Sequence, residues 1–246
     1  MKKGKIKKYD ISVIIPTYKD EEYVEECIVK SLSFFRNSSL VGRFEIIFAS
    51  DRGGDRTIEI IKSHLPGNPE LVLAENEKRL QKGGSIRKAM LMTKFPVKMF
   101  YDVDLSTPLS EVEHFLDLIE DYDIVIASRL VKGARVQRSV FRTLFAMGFS
   151  LMTFLILNLP YRDTQCGFKM FRESALPVFE KQTLITGSFD VEILFLARKM
   201  GLSIKEAPVS WHDSEVSNFD NVDRLIIPVF MDTLRVRLND LKGIYS

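Results

Sequence analysis

Two aspartates, Asp102 and Asp104, directly follow the apolar run 97–101. In an extended chain residues i and i+2 project to the same side, so both carboxylates would point one way where a strand ends. Ligands of open α/β sheets bind at that edge. Paired carboxylate oxygens suit a hard divalent cation such as Mg²⁺ or Mn²⁺, which can bridge to phosphate oxygens. The pair therefore favours a metal–phosphate site, while a solvated strand end remains the alternative for a D-x-D pair taken alone.

Further polar residues follow the other apolar runs of the first half. Tyr18 and Asp20 follow the first run, and Asp51 follows the second. Tyr18 could stack on a base, and Asp51 could accept a hydrogen bond from a base N–H or cap the following turn. The segment 82–85, which reads KGGS, precedes a helix containing Arg87, and its lysine and backbone amides could approach a phosphate or ribose. Together these residues predict a nucleoside-diphosphate site with a metal ion at its centre.

The elements that must position these residues alternate regularly along the first half. Apolar runs predict strands at 11–15, 44–49, 71–73, 97–101 and 123–127. The segments between them predict helices at 20–36, about 55–65, 84–93 and 108–119, the last with Ser106 or Thr107 as its cap. This alternation is typical of an α/β fold with a mostly parallel central sheet covered by helices.

The alternation ends near residue 128. A basic loop then precedes the uncharged segment 143–159, and amphipathic helices are predicted at 190–200 and 222–241, with a strand near 205–209 between them. The uncharged segment has seventeen residues, the lower limit for a membrane span. Because residues with functional character lie on both sides of it, we expect a helix that is buried or lies in the bilayer surface.

The composition limits the class of protein. With 246 residues, 46% hydrophobic and 28% charged, the chain suits one large α/β domain. Its formal charge of +2 gives no overall field for nucleic acid, which we do not expect as a partner. Cys27 and Cys166 lack metal-ligand spacing and no signal peptide is recognisable, so a cytoplasmic location is expected. The lysine-rich start fits either a solvated tail or attraction to anionic lipid.

The order of the motifs resembles glycosyltransferase family 2 of the GT-A fold. Within that family the likeness is greatest to the dolichyl-phosphate β-glucosyltransferases and next to the dolichyl-phosphate mannose synthases. The motifs are SVIIPTY at 12–18, KGGSIR at 82–87, DVD at 102–104, QRSVFRT at 137–143, RDTQCGFK at 162–169 and FDVE at 189–192. They span the chain from about residue 10 onward, and RDTQCGFK is the most specific of them.

The resemblance implies one GT-A domain over 1–246, with a nucleotide-sugar half at 1–127 and an acceptor half with interfacial helices at 128–246. The resemblance and the polar residues that follow the predicted strands together imply these nucleotide contacts: Pro16, Tyr18, Asp20, Asp51, Lys82, Gly83, Arg87 and Asp102. Asp102 and Asp104 match the metal-binding pair. Arg129 and Arg142 match arginines that hold the acceptor phosphate, and Arg138 belongs to the same basic cluster. The implied catalytic residues are Asp102, Asp104, Arg129 and Arg142.

The implied reaction is an inverting, metal-dependent transfer of a hexose to a polyprenyl phosphate such as dolichyl phosphate. We expect Mg²⁺ or Mn²⁺ as cofactor, UDP-glucose as first donor and a peripheral position on the cytosolic face of a membrane. Mannosyl transfer from GDP-mannose is the alternative within the class. A nucleotidyltransferase is another alternative, although it would not need a basic loop joined to an apolar helix. A degenerate sugar-nucleotide-binding module is suggested only by Ser50, where family members usually carry a further aspartate.

Overall fold

The apolar runs of the first half form the strands of a central sheet. The computed structural model describes residues 7–137, 140–212 and 222–245, apart from the side chains at 137, 140–142 and 222–226. The strands are β1 Tyr9–Thr17, β2 Val41–Asp51, β3 Leu71–Asn76, β4 Val97–Tyr101, β5 Ile124–Ser128, β6 Arg135–Gln137, β7 Phe168–Arg172, β8 Ile204–Pro208 and β9 Ser210–His212. The helices are α1 Val24–Asn37, α2 Thr57–His64, α3 Gln81–Met90, α4 Glu111–Leu118, α5 Val140–Leu157, α6 Leu176–Lys181, α7 Phe189–Lys199 and α8 Val222–Leu241.

Seven strands are ordered β3-β2-β1-β4-β7-β5-β8 in the main sheet, and β6 pairs with β9 in a small second sheet. The pairs β1–β2, β1–β4, β2–β3 and β5–β8 are parallel, whereas β7 runs antiparallel to both β4 and β5. The predicted mostly parallel α/β sheet is therefore confirmed. The antiparallel strand β7 was not among the predicted strands.

Both faces of the sheet are buried. Ile11, Val13 and Ile15 of β1 belong to a core shared with α1, α2 and α4. Ile14 belongs to a second core, which is shared with α3, α6 and α7. Alternate residues of a strand face opposite sides, so a strand covered on both faces is mostly apolar. This explains the apolar runs of the sequence, and the polar residues within them, such as Ser12, Glu45 and Lys98, are buried as well.

Three predicted helix starts differ from the structure by three or four residues, and one of them is α3, which begins at Gln81 rather than at residue 84. The first helix begins at Val24, four residues later than expected. Neither Ser106 nor Thr107 caps α4, because that helix begins at Glu111 after Ser110. The hydroxyl of Ser106 instead donates to Asp104 Oδ2 at 2.7 Å, and the Ser106 amide donates to Oδ1 at 3.0 Å. The polar residues after β4 thus fix the D-x-D loop rather than the helix behind it.

The uncharged segment forms most of α5, which packs beside α8. Its end, Leu157, and the following Leu159 are buried in the core. Large apolar residues elsewhere on the two helices are exposed: Leu144, Met147, Leu151, Phe154 and Leu155 on α5, and Ile227, Phe230, Met231, Leu238 and Leu241 on α8. We call these ten residues the α5/α8 apolar face. Within the described parts of the chain, no helix has both the length and the apolarity needed to cross a membrane.

Candidate active site

A cleft of about 530 Å³ opens at the carboxyl ends of β1, β2 and β4. Its lining includes Pro16, Tyr18, Asp20, Asp51, Lys82 and both aspartates of the D-x-D pair. In α/β sheets this edge is the usual ligand site, because the loops that follow the strands meet there. The structure thus brings most of the predicted nucleotide contacts into one cavity.

Asp102 and Asp104 reach this cleft through a turn. β4 ends at Tyr101, and the Leu105 amide donates to the Asp102 carbonyl at 3.2 Å. The extended backbone expected from the i, i+2 spacing is therefore not what aligns the two side chains. Asp102 Oδ1 lies 2.5 Å from Lys82 Nζ, and Asp104 accepts the two hydrogen bonds from Ser106.

The acidic groups of the cleft fit a divalent cation. Burial raises the pKa of Asp20 to about 6, and the nearby charges of Asp55, Asp102 and Asp104 act in the same direction. A bound cation would relieve that repulsion. Among the described residues no three His, Cys, Asp or Glu side chains are grouped for metal binding. Two carboxylates would therefore supply part of the coordination of Mg²⁺ or Mn²⁺, and phosphate oxygens and water would complete it.

Sequence reasoning missed a residue that stacks on one face of the Tyr18 ring. The Arg79 guanidinium lies 4.1 Å from the centroid of the Tyr18 ring, and both residues line the cleft. Such a cation–π contact orients both groups. Arg79 lies in the loop between β3 and α3. In the sequence it was recognisable only as a basic residue near the KGGS segment.

Asp51 is a buried hydrogen-bond acceptor at the base of the cleft. Its Oδ1 accepts from Asn76 Nδ2 at 2.9 Å and from Ser85 Oγ at 3.0 Å. The amides of Leu80 and Gln81, at 3.1 and 2.8 Å, also donate to this carboxylate. Asp51 thus caps the start of α3, whereas the alternative expected it to cap the turn that follows it. It still lines the cleft.

The KGGS segment is helical rather than a loop. The amides of Gly83 and Gly84 both donate to the Ile185 carbonyl, at 2.9 and 3.3 Å. A Cβ atom at Gly83 would lie 2.7 Å from Phe189 Cβ, so glycine allows α3 to contact the loop 182–188 and the start of α7. The Gly83 amide is therefore not available to a phosphate, and we correct the expectation for Gly83.

Arg87 is likewise directed away from the cleft. Its Nε donates to the Phe179 carbonyl at 2.8 Å, and its Nη2 donates to the Glu180 carbonyl at 3.0 Å. We correct the expectation for Arg87, which stabilises the end of α6. Of the predicted contacts on α3, Lys82 reaches the cleft. Burial lowers its pKa, but the carboxylates of Asp102, Asp190 and Asp104 outweigh this and raise it, so Lys82 is a cation at neutral pH.

Arg129 is held by a buried carboxylate. Its Nε and Nη2 donate to Asp163 Oδ2 and Oδ1 at 2.7 and 3.0 Å, and its amide also donates to Oδ2. The guanidinium lies 5.4 Å from the Trp211 ring centroid. Burial raises the pKa of Asp163, yet the Arg129 charge more than compensates and holds that pKa below its usual range. Arg138 and the side chain of Arg142, the other predicted phosphate contacts, lie outside the described part of the chain.

The segment 163–167 joins Arg129 to Asp102. Asp163 binds Arg129 at one end, and a Cβ atom at Gly167 would lie 2.6 Å from Asp102 Cγ and overlap its Oδ2. Just beyond the segment, Lys169 forms a fully buried ion pair with Asp190 at 2.6 Å. The RDTQCGFK motif therefore contacts both Arg129 and Asp102.

Glu192 organises another wall of the cleft. It accepts hydrogen bonds from the amides of Thr183 and Leu184 and from the Tyr245 hydroxyl. These bonds fix the loop 182–188, whose Gly187 lines the cleft. Because Glu192 is fully buried, its role is structural.

The sequence and the fold each resemble known proteins. The family model described as "Glycosyl transferase family 2" matches residues 12–179. The dolichyl-phosphate β-glucosyltransferase of Dictyostelium discoideum is 29% identical over 250 residues, which are 96% of this chain and 76% of that protein. The enzyme of the same name from Drosophila melanogaster is 30% identical over 225 residues, or 85% of this chain and 68% of that protein.

Two solved structures share the fold. Glucosyl-3-phosphoglycerate synthase from Mycobacterium tuberculosis, crystallised with Mn²⁺, UDP and phosphoglyceric acid, aligns with a TM-score of 0.66 at 17% identity. That alignment covers 93% of this chain and 78% of the other. Mannosyl-3-phosphoglycerate synthase from Rubrobacter xylanophilus aligns with a TM-score of 0.67 at 14% identity, over 96% and 74% of the two chains. These likenesses confirm the GT-A-type fold.

Proposed function

The chain belongs to glycosyltransferase family 2 and is a glycosyltransferase, and we propose that it transfers glucose from UDP-glucose to the phosphate of a polyprenol such as dolichol. Relatives named dolichyl-phosphate β-glucosyltransferase match nearly the whole chain. The observation that carries the proposal is the segment 163–167, which contacts Arg129 at one end and Asp102 at the other. The segment therefore connects Arg129, whose charge suits an acceptor phosphate, with Asp102, whose carboxylate suits the metal ion of a donor diphosphate.

The donor would lie in the cleft. The Tyr18 ring offers a surface for the base, and the Asp51 carboxylate offers an acceptor for a base N–H. Asp102 and Asp104 would hold Mg²⁺ or Mn²⁺, which when bound neutralises charge on the departing diphosphate. A neighbour of the same fold was crystallised with Mn²⁺ and UDP, which supports this choice of cofactor and donor.

The acceptor phosphate would lie beside Arg129. Bonded to Asp163 through one edge, the guanidinium retains further N–H groups for a phosphate. A phosphate monoester is largely dianionic at neutral pH and attacks without a strong general base. Its oxygen forms a bond to the anomeric carbon while the bond from that carbon to the diphosphate breaks, so in-line attack inverts the configuration. Arg138 and Arg142 of the basic loop would complete the phosphate site.

The lipid part of the acceptor would be reached at a membrane surface. The α5 part of the α5/α8 apolar face directly follows the basic loop along the chain, so cationic and apolar groups adjoin as they do in interfacial helices. We place the protein peripherally on the cytosolic leaflet, with this face against the lipid.

A panel of radiolabelled UDP-glucose and GDP-mannose tests the proposal. The protein is incubated with polyprenyl phosphate and Mn²⁺ or Mg²⁺, and the lipid product is extracted into solvent. Label from UDP-glucose is expected in the lipid, and Asp104→Ala should abolish it. Asp117→Ala, which removes an exposed carboxylate of α4, is the matched control and should retain transfer.

Each contrary result has a distinct meaning. Transfer only from GDP-mannose would replace the glucosyl assignment by the mannosyl one. Incorporation of the nucleotide itself would indicate a nucleotidyltransferase. Full turnover by Asp104→Ala, or by the wild type after removal of metal with EDTA, would exclude the metal-dependent mechanism.

A further inference from the structure

The Asp102 carboxylate is already paired with a cation in the structure. Lys82 Nζ lies 2.5 Å from Asp102 Oδ1, and both side chains are partly exposed in the cleft. Lys82 stands in the first turn of α3, whose start is fixed by the hydrogen bonds from the Leu80 and Gln81 amides to Asp51. The position of the lysine is therefore set by the same network that shapes the nucleotide end of the cleft.

The Asp102 carboxylate also lies close to Gly167, because both of its oxygens are within 2.9 Å of the position that a Cβ atom there would take. Oδ2 occupies the space that a Cβ atom at Gly167 would need. The carboxylate consequently sits between the Lys82 ammonium group on one side and the Gly167 backbone on the other. A divalent cation that binds Asp102 through Oδ1 competes with Lys82 for that oxygen.

We propose that Lys82 is a positioning residue for the metal site: it holds Asp102 in place while no metal is bound, and passes to the donor diphosphate when metal and nucleotide enter. The inference rests on the proposed function for the identity of the donor. Two cations at one carboxylate oxygen repel each other, so metal coordination displaces the lysine. Lysine is a compact charge on a flexible stem, so its ammonium group can exchange one anionic partner for another within reach.

This exchange couples the binding of the two ligands. Without a nucleotide, the metal must displace Lys82 from Asp102 and break that ion pair. With a nucleotide present, the Lys82 ammonium group pairs with the diphosphate, and this new ion pair offsets the free energy lost when the pair with Asp102 breaks. By reciprocity, metal and nucleotide then each increase the affinity for the other. The Lys82–Asp102 pair is partly solvated, so breaking it is a small cost and the exchange is reversible.

Lys82→Met separates this role from ordinary nucleotide binding. Free Mn²⁺ is measured by electron paramagnetic resonance during titration of the protein, without UDP and with saturating UDP. Removing the competing cation should tighten Mn²⁺ binding without UDP by about three- to tenfold, as expected for loss of one partly solvated ion pair. The factor by which UDP then strengthens Mn²⁺ binding should be smaller than in the wild type.

Lys78→Met is the matched control, because it removes the same charge from an exposed position just before α3. Its Mn²⁺ affinity without UDP should stay within about twofold of the wild type, as for a screened charge at a distance. Lys82→Arg retains the charge and should not tighten Mn²⁺ binding. Thermal unfolding curves of all variants confirm that the fold is intact.

The outcomes distinguish this inference from the function on which it rests. Unchanged or weaker Mn²⁺ binding by Lys82→Met without UDP overturns the role of Lys82 and leaves the metal site standing. Equal tightening by Lys78→Met overturns it too, because the effect would then be long-range. Failure of the wild type to bind Mn²⁺ even with UDP overturns the metal dependence and, with it, this inference.

Discussion

Individual residues in this site act chiefly by holding other residues. Asp163 is buried and directs Arg129, and Asp51 fixes the start of α3 that carries Lys82. Gly167 has no side chain, and its contribution is the space that it leaves for Asp102. The residues that would touch substrates therefore depend on supporting contacts that the motif letters alone do not reveal.

Gly167→Ala tests the role of that space. The new methyl group would overlap Asp102 Oδ2 and force the carboxylate into another rotamer. We expect transfer to fall by about tenfold or more, equivalent to roughly 1.4 kcal/mol of transition-state stabilisation, together with weaker Mn²⁺ binding in the presence of UDP. Steady-state kinetics and Mn²⁺ titration measure the two effects.

Gly148→Ala is the control for this substitution, since a Cβ atom there meets nothing within 4 Å. It should leave both quantities near the wild-type values. Wild-type Mn²⁺ affinity in Gly167→Ala would show that Asp102 does not need the space.

At the scale of elements, α5 and α8 form a pair with one buried and one exposed side. Leu157 and Val236 are buried in the second core, whereas Leu151 and Leu155 are 59% and 72% exposed. Large exposed apolar residues grouped on two neighbouring helices favour an interaction site. Its position after the basic loop favours a lipid surface as the partner.

Leu151→Glu combined with Leu155→Glu tests this assignment. Each leucine that leaves the bilayer forfeits about 1.5–3 kcal/mol of apolar burial, so binding to anionic vesicles should fall more than tenfold in a flotation assay. Transfer to a short, water-soluble polyprenyl phosphate should persist. Val29→Glu, an exposed apolar position on α1, is the control and should still float. Vesicle binding by the double variant at the wild-type level would refute the assignment.

The sequence predicted the elements with local patterns and missed those that depend on distant partners. Mostly apolar runs in regular alternation with helices identified the five strands of the first half. β7 lies beyond that alternation, and the buried partner of its Lys169, Asp190, is twenty-one residues away, so the local pattern did not show it. The glycines of α3 indicated a loop because glycine has a low helix propensity. The acceptor of their amides, the Ile185 carbonyl, lies about a hundred residues further on, so the contact could not be read from the local sequence.

The candidate site shows the same limit. The D-x-D pair and Tyr18 follow predicted strands, so the sheet edge that they share could be inferred. Arg79 lies in a loop without a distinctive spacing, and its stacking on Tyr18 is a tertiary contact. Gly83 and Arg87 were assigned to the nucleotide because a segment rich in glycine and cations resembles a phosphate loop in sequence, although both serve packing.

For the whole molecule, a net charge of +2 conceals a concentration of carboxylates at one edge of the sheet. Asp20, Asp55, Asp102 and Asp104 interact there, and burial together with these neighbours raises the pKa of Asp20 to about 6. The folded protein therefore binds a proton at Asp20 at a higher pH than the unfolded chain does. Between the two pKa values, the contribution of Asp20 makes the free energy of unfolding rise as the pH falls.

Asp20→Asn isolates that contribution. At pH 7.5 wild-type Asp20 is charged and repelled by its neighbours, whereas at pH 5 it is protonated, so the variant's advantage in stability should be larger at pH 7.5. Urea unfolding of both proteins at the two pH values measures the difference. Titrating groups that do not interact with Asp20 cancel in this comparison. An advantage that grows on acidification would contradict the raised pKa.

The antiparallel strand has a consequence for how the chain is made. β7 pairs through Phe168 with Tyr101 of β4 and through Phe171 with Ile124 of β5. When a ribosome has released only the first 128 residues, the nascent polypeptide contains β4 and β5 but not the strand that must lie between them. The central sheet cannot be completed until translation has passed residue 172. The insertion of β7 then joins strands that were synthesised before and after it into one folding unit.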